Sequence, residues 1–120
     1  MGAKENREAA RRWLAAFNAH DLDALLALYA EDARHTSPKI RALHPDTGGE
    51  LRGKAALRAW WEDSLRRLPS LRYEAFAITA DEGRAVMEYL RHLDGEPPMP
   101  VSETLELEQG LIVRSRVYHG

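Results

Sequence analysis

AAFNAHDLDALLALYAEDARHTSP, residues 15–38, reads as the end of one amphipathic helix, a capped second helix and a strand entering a sheet. Asp21 is placed to accept a hydrogen bond from the free backbone N–H groups that open the second helix, and Asp23 adds negative charge to its positive end. Leu22, Leu25, Leu26 and Tyr29 follow at i, i+3, i+4 and i+7, one apolar stripe. In the strand, His35 and Ser37 alternate with Thr36, so two helices laid over a sheet with polar groups aimed into the gap is the expected arrangement. This places a pocket without naming its ligand.

Toward the N-terminus, residues 4–18 should form the first helix, with Ala10, Trp13, Leu14 and Phe17 buried and Glu8 and Arg12 as an exposed i, i+4 pair. The short link through Asn18, Ala19 and His20 holds the first two helices close together. On the other side, PKIRALHPDTGGELRG, residues 38–53, reads as a loop, tightest at Thr47-Gly48-Gly49. Such a loop is either the lid or rim of a site or a plain surface excursion. Helix returns over residues 53–68, where Leu57, Trp60, Trp61, Leu65 and Leu68 mark a wide apolar face and Pro69 stops the run. Adjacent residues on a helix point about 100° apart. One tryptophan should therefore face the core and the other a pocket wall or a partner subunit.

From residue 71 the period changes to that of strands. LRYEAFAITA, RAVMEYLRHL, VSETLELE and LIVRSRVYH are separated by turn residues, which predicts an antiparallel meander. Helices first and strands afterwards give an α+β domain in which three N-terminal helices cover one face of a curved, mostly antiparallel sheet. The 120 residues are enough for one domain with a real core, without disulfides or metals.

Composition removes several function classes. The net charge is -2 and no Lys/Arg run exceeds two, so nothing attracts nucleic acid or an anionic membrane by bulk charge. The absence of cysteine excludes disulfides, thiolate zinc sites and a cysteine nucleophile. No stretch is long and apolar enough for a membrane span, and MGAKENREAARR lacks the apolar run of a signal peptide, so a cytoplasmic protein is the expectation.

The chemistry concentrates on the third late strand. Val101, Glu103, Leu105 and Leu107 alternate with Ser102, Thr104, Glu106 and Glu108, which puts Glu103 on the apolar face. A carboxylate there needs a partner, water or a proton, because bare burial is very costly. If the connection over residues 93–101 folds symmetrically, Arg91 lies opposite Glu103, on the face shared by Met87 and Tyr89. That pair is either a charged site at the back of an apolar pocket or a salt bridge that only closes the end of the sheet. His35 and Ser37, two residues apart on one strand face, supply a base and a hydroxyl. His44, Asp46 and His119 complete the candidate polar groups, but no HxxxH or HxH spacing supports a metal site.

Residues 15–38, with LRGKAALRAWWEDSL and the closing LELEQGLIVRSRVYHG, resemble the SnoaL-like branch of the nuclear transport factor 2-like superfamily, which includes ketosteroid isomerases and polyketide cyclases. The resemblance runs almost end to end and implies a cone-shaped α+β barrel with a deep pocket, dimeric through the open sheet face. In ketosteroid isomerases a tyrosine and a protonated aspartic acid hold the oxyanion and a second aspartate moves the proton. Matching the motifs puts Trp13 at the tyrosine, Ser37 at the base and Glu103 near the remaining acid. One of three positions keeps suitable chemistry, which argues against steroid isomerisation. Arg91 and Glu103 also partly echo the Asp-Arg-Asp arrangement of limonene-epoxide-hydrolase relatives, without a second matching acid.

The expected catalytic residues are Glu103, His35 and Arg91, with Trp13, Phe17, Ser37, Trp60, Met87, Tyr89, Ser115 and His119 contacting a small apolar or amphipathic ligand. An Arg91 neighbour would keep Glu103 charged, as a base or hydrogen-bond acceptor. No cofactor is expected. Three readings stand: an acid–base enzyme acting on a carbonyl, epoxide or hydroxyl compound, a ligand-binding module, or a dimeric interaction domain with a vestigial cavity. A homodimer is expected through the outer face of the last strand, with Ile112, Arg114, Arg116 and Tyr118, unless the Gln109-Gly110 turn shifts the register by one residue.

Overall fold

The computed structural model describes residues 2–120. Helix α1 (Ala3–Asn18) begins where the Glu5 carboxylate accepts the Gly2 N–H at 2.9 Å, and it buries Ala10, Trp13, Leu14 and Phe17 as its spacing requires. Its exposed ion pair joins Glu8 to Arg11, not to Arg12. Helix α2 (Leu22–Leu26) opens on Asp21, which accepts the Ala24 N–H at 3.1 Å. Strand β1 (Tyr29–Thr36) follows and starts earlier than its polar alternation suggested. Tyr29 belongs to this strand and not to the helical stripe, because α2 is only five residues long and Tyr29 already aligns with Ile112 of a neighbouring strand.

The stretch expected to be a plain loop contains a short helix α3 (Pro38–Leu43), a 3-10 turn and a short strand β2 (Glu50–Arg52). Ser37 caps α3 by accepting the Lys39 N–H at 3.1 Å, and Pro38 occupies the first helical position, where its missing N–H costs nothing. Helix α4 (Lys54–Arg67) then leads into strands β3 (Arg72–Ala80), β4 (Arg84–His92), β5 (Met99–Glu108) and β6 (Leu111–His119).

The strands form one six-stranded sheet in the order β2-β1-β6-β5-β4-β3. Every neighbouring pair is antiparallel except β1 and β6, which run parallel. The sheet is curved but open, with β2 and β3 as free edges, so the cone is a half-shell and not a closed barrel. Among the described residues four α-helices accompany it, one more than expected, the addition being α3. The concave face carries Val101, Glu103, Leu105 and Leu107 of β5 and Ala85, Met87 and Tyr89 of β4, all of them buried. Among the described residues no helix is long and apolar enough to cross a membrane.

Two register details matter for the site. Gln109 and Gly110 form a two-residue turn, both with positive φ, as a tight hairpin of this hand demands. A bulge then intervenes, since Leu107 faces Ile112 whereas Glu106 faces Arg114, leaving Val113 as the extra residue. Ile112 is consequently buried inside the shell and not on the outer face, whereas Arg114, Arg116 and Tyr118 keep the outward positions expected of them. On the other side of β5, Met87 lies opposite Glu103, and Arg91 lies opposite Met99. The symmetric connection assumed for residues 93–101 is replaced by a tighter one in which β5 resumes at Met99. The resulting shift of four residues is even, so Arg91 stays on the expected face but loses the expected partner.

Candidate functional site

The helices do not fill the concave face of the sheet. Between α1, α3, α4 and the strands lies a cavity of about 320 Å³, the size of a small ring compound. Of the residues singled out in the sequence, Trp13, Phe17, His35, Ser37, Trp60, Tyr89, Arg91, Glu103 and His119 line it. Met87 and Ser115 are fully buried but lie behind the wall. Tyr73, Lys39, Arg67 and Val117 also line it without having been expected there, and so does Trp61. Both tryptophans of α4 reach the cavity, Trp61 packing on Tyr29 and His35 and Trp60 on His44, because the concave shell wraps a wider arc than one helix face. They border the space without occupying it.

One wall is a column of aromatic rings. Trp13 stacks on Phe17 at 5.2 Å, Phe17 on Tyr73 at 4.2 Å, and Tyr73 on Tyr89 at 4.2 Å, with interplanar angles of 2°, 7° and 22°. Trp13 and Tyr73 are also nearly parallel, 6.1 Å apart, so the rings form a tightly packed apolar wall for the body of a ligand. At the end of the column the Tyr89 hydroxyl donates to Glu103 Oε1 at 2.9 Å.

That hydrogen bond is Glu103's only protein contact of its kind among the described residues. The side chain is 1% exposed, and Oε2 is buried without a partner. Arg91 instead pairs with Glu96 at 3.1 Å, whose side chain is half-exposed. The buried carboxyl thus lacks the counter-charge expected of Arg91, and burial raises its pKa to about 8. At neutral pH Glu103 is mostly protonated, which corrects the expectation of a permanently charged acceptor. The phenols of Tyr29, Tyr73 and Tyr89 are held above their ordinary range by burial and by any charge on Glu103, so they stay protonated.

His35 projects from β1 onto the same concave face. It is 3% exposed, and burial lowers its pKa to about 4, so its imidazole is neutral. Its Nδ1 lies 2.6 Å from Ser115 Oγ, which lies 2.9 Å from the Tyr29 hydroxyl, which in turn accepts from Trp13 Nε1 at 2.9 Å. Ser37 Oγ accepts the Lys39 N–H that caps α3, which fixes its position and leaves its own O–H hydrogen to donate. His119 sits at the mouth with Lys39 and Arg91; burial, then these two charges, lower its pKa. Among the described residues no three His, Cys, Asp or Glu side chains converge as ligands for a metal ion.

The Arg91 geometry has a measurable consequence. Arg91→Met, which keeps the apolar stem, should lower stability by no more than about 1 kcal/mol, the scale of an ion pair with a half-exposed partner. Combining it with Glu103→Leu in a urea-denaturation cycle should show no coupling; a strong coupling energy would mean that the two residues interact after all.

Residues 10–115 match the family model of the SnoaL-like domain. Among solved structures, a SnoaL-like protein of unknown function from Burkholderia thailandensis shares 29% identity and a TM-score of 0.87, over 98% of this chain and 95% of that one. A candidate ketosteroid isomerase from Kribbella flavida superimposes with a TM-score of 0.81 at 21% identity, over 98% of this chain and 79% of that one. A candidate polyketide cyclase from Sinorhizobium meliloti does so with 0.78 at 20% identity, over 92% and 94%. No curated protein matches the chain.

Proposed function

The chain belongs to the SnoaL-like family, and on that premise we propose that it is a cofactor-independent enzyme doing acid–base chemistry on a small, largely apolar substrate that carries an oxygen function. The observation that supports this most is Glu103, a carboxyl buried without a counter-charge at the end of an aromatic-walled cavity, with one oxygen hydrogen-bonded to Tyr89 and the other free. A pKa of about 8 makes it an effective proton carrier near neutral pH. Glu103 moves the proton, and neutral His35 is the second polar group at the reacting atom. The aromatic column binds the body of the substrate, and Arg91, Lys39 and His119 border its outer end. A vestigial cavity would have been closed by the tryptophans, and this one remains open. The deciding experiment is turnover of a panel of cyclic ketones, enols and epoxides by the wild type and by Glu103→Gln.

The outer sheet face supports the homodimer expected from the sequence. Arg114 pairs with Glu50 and Arg116 with Glu106, both at 3.1 Å, so a band of charges in register runs across the open side. Tyr118 and Phe76, the extra residue of a bulge in β3, are 53% and 61% exposed. Arginine and exposed aromatics are enriched at interfaces. Light scattering at micromolar concentration should give twice the chain mass, and Phe76→Glu should shift it toward the monomer. A monomer mass for the wild type would remove the dimer from the proposal.

A further inference from the structure

The chain of hydrogen bonds behind His35 has a direction. Trp13 Nε1 can only donate, so the Tyr29 oxygen accepts from it at 2.9 Å. Two contacts follow, Tyr29 to Ser115 at 2.9 Å and Ser115 to His35 Nδ1 at 2.6 Å, and each holds a single hydrogen. The two hydroxyls already bring one hydrogen each. Tyr29 and Ser115 are 1% and 0% exposed, out of reach of bulk solvent, and among the described residues neither hydroxyl has a protein acceptor outside this chain of contacts. The arrangement that places both hydrogens runs from Tyr29 to Ser115 and from Ser115 to Nδ1. A hydrogen on Nδ1 would find the Ser115 backbone carbonyl beside the ring, but it would still take away the acceptor that the two hydroxyl hydrogens need and leave one buried hydroxyl unpaired.

We infer that Trp13, Tyr29 and Ser115 are positioning residues that fix the resting tautomer of His35, with Nδ1 as acceptor and the proton on Nε2, so that His35 presents an N–H donor to the cavity. Nε2 has no protein partner among the described residues, and His35 lines the cavity. A ligand must therefore meet it with an acceptor, such as a carbonyl, enolate or epoxide oxygen. A neutral imidazole N–H aimed at such an oxygen polarises it and stabilises negative charge as it develops. The base role then falls on Glu103 alone. This consequence for chemistry rests on the acid–base reading above, whereas the tautomer does not.

The test is nitrogen-15 NMR of the ligand-free protein with labelled histidine, which separates protonated from unprotonated ring nitrogens. His35 should show an unprotonated Nδ1 and a protonated Nε2 throughout the neutral range. Ser115→Thr, which keeps the hydroxyl, should preserve that signature, while Ser115→Ala and Tyr29→Phe should shift the population toward Nδ1–H. A wild-type spectrum with Nδ1 protonated overturns the assignment without any variant having to fold. So does a Tyr29→Phe or Ser115→Ala protein that folds and keeps the wild-type tautomer ratio. Loss of activity in the substrate panel with the predicted tautomer intact would count against the enzyme reading and leave this assignment standing.

Discussion

Glu103→Gln is expected to lower turnover by about 10²- to 10⁴-fold, the usual contribution of a positioned proton carrier. The substitution keeps the shape of the protonated carboxyl and its acceptor for Tyr89, so the fold should survive with little change in stability at acid pH. It removes the ability to gain or release a proton. Because Arg91 is paired with Glu96, no ion pair is broken, and activity and stability are separable in this variant. In the wild type the rate should rise with pH, pass half its maximum near 8 and level off only above that if ionised Glu103 is the base. Steady-state kinetics of both proteins on one substrate of the panel measures all of this. Full activity in a folded Glu103→Gln protein would exclude Glu103 from the chemistry, and binding without turnover in the wild type would make the protein a ligand carrier.

The contrast between Glu103 and Arg91 shows which features of the site were legible in the sequence. Alternation along one strand depends only on the pleat, so eight consecutive residues were enough to put Glu103 on the inner face. Pairing between strands depends on where the chain resumes after a turn. The stretch Leu93 to Pro98 contains no signal that fixes this, and the partner of Glu103 was misplaced by four residues although its face was right. Bulges hide in the same way. Val113 is an ordinary strand residue by type, yet as the extra residue it turns Ile112 inward while Arg114 and Arg116 stay outward.

The aromatic column and the relay were harder to foresee, because each joins residues distant in sequence. Phe17 meets Tyr73, and Tyr29 meets Ser115, only after β6 has laid itself parallel to β1 and α1 has crossed the sheet. Tyr29 looked like the end of a helical stripe, and its hydroxyl had no assigned task. One available signal was that a tyrosine at the start of a buried strand must find a partner for its hydroxyl. Helical spacing divides Trp60 and Trp61 between core and wall, yet both line the cavity, and the contact of Trp61 with His35 depends on the curvature of the shell.

The two buried titratable groups should also shape how stability depends on pH. Folded Glu103 holds its proton up to about pH 8, whereas in the unfolded chain it is lost near the ordinary value of 4.5. Between those limits folding takes up a proton, so stability falls as pH rises, by about 1.4 kcal/mol per unit and about 5 kcal/mol in all. His35 has the opposite slope, because the unfolded side chain is protonated below 6.5 while the folded one stays neutral down to about 4. Folding then releases a proton, and stability is lost as pH falls from 6.5 toward 4. From 4.5 to 6.5 the two slopes cancel, and above 6.5 only Glu103 acts, which predicts a loss of about 2 kcal/mol between pH 6.5 and 8. Glu103→Gln should abolish that loss and uncover the His35 slope on the acid side. Urea midpoints at pH 5, 6.5 and 8 for both proteins provide the measurement. A wild type as stable at pH 8 as at 6.5 would show that Glu103 is ionised in the folded state, and with it the proton-carrier role argued from its burial would fail.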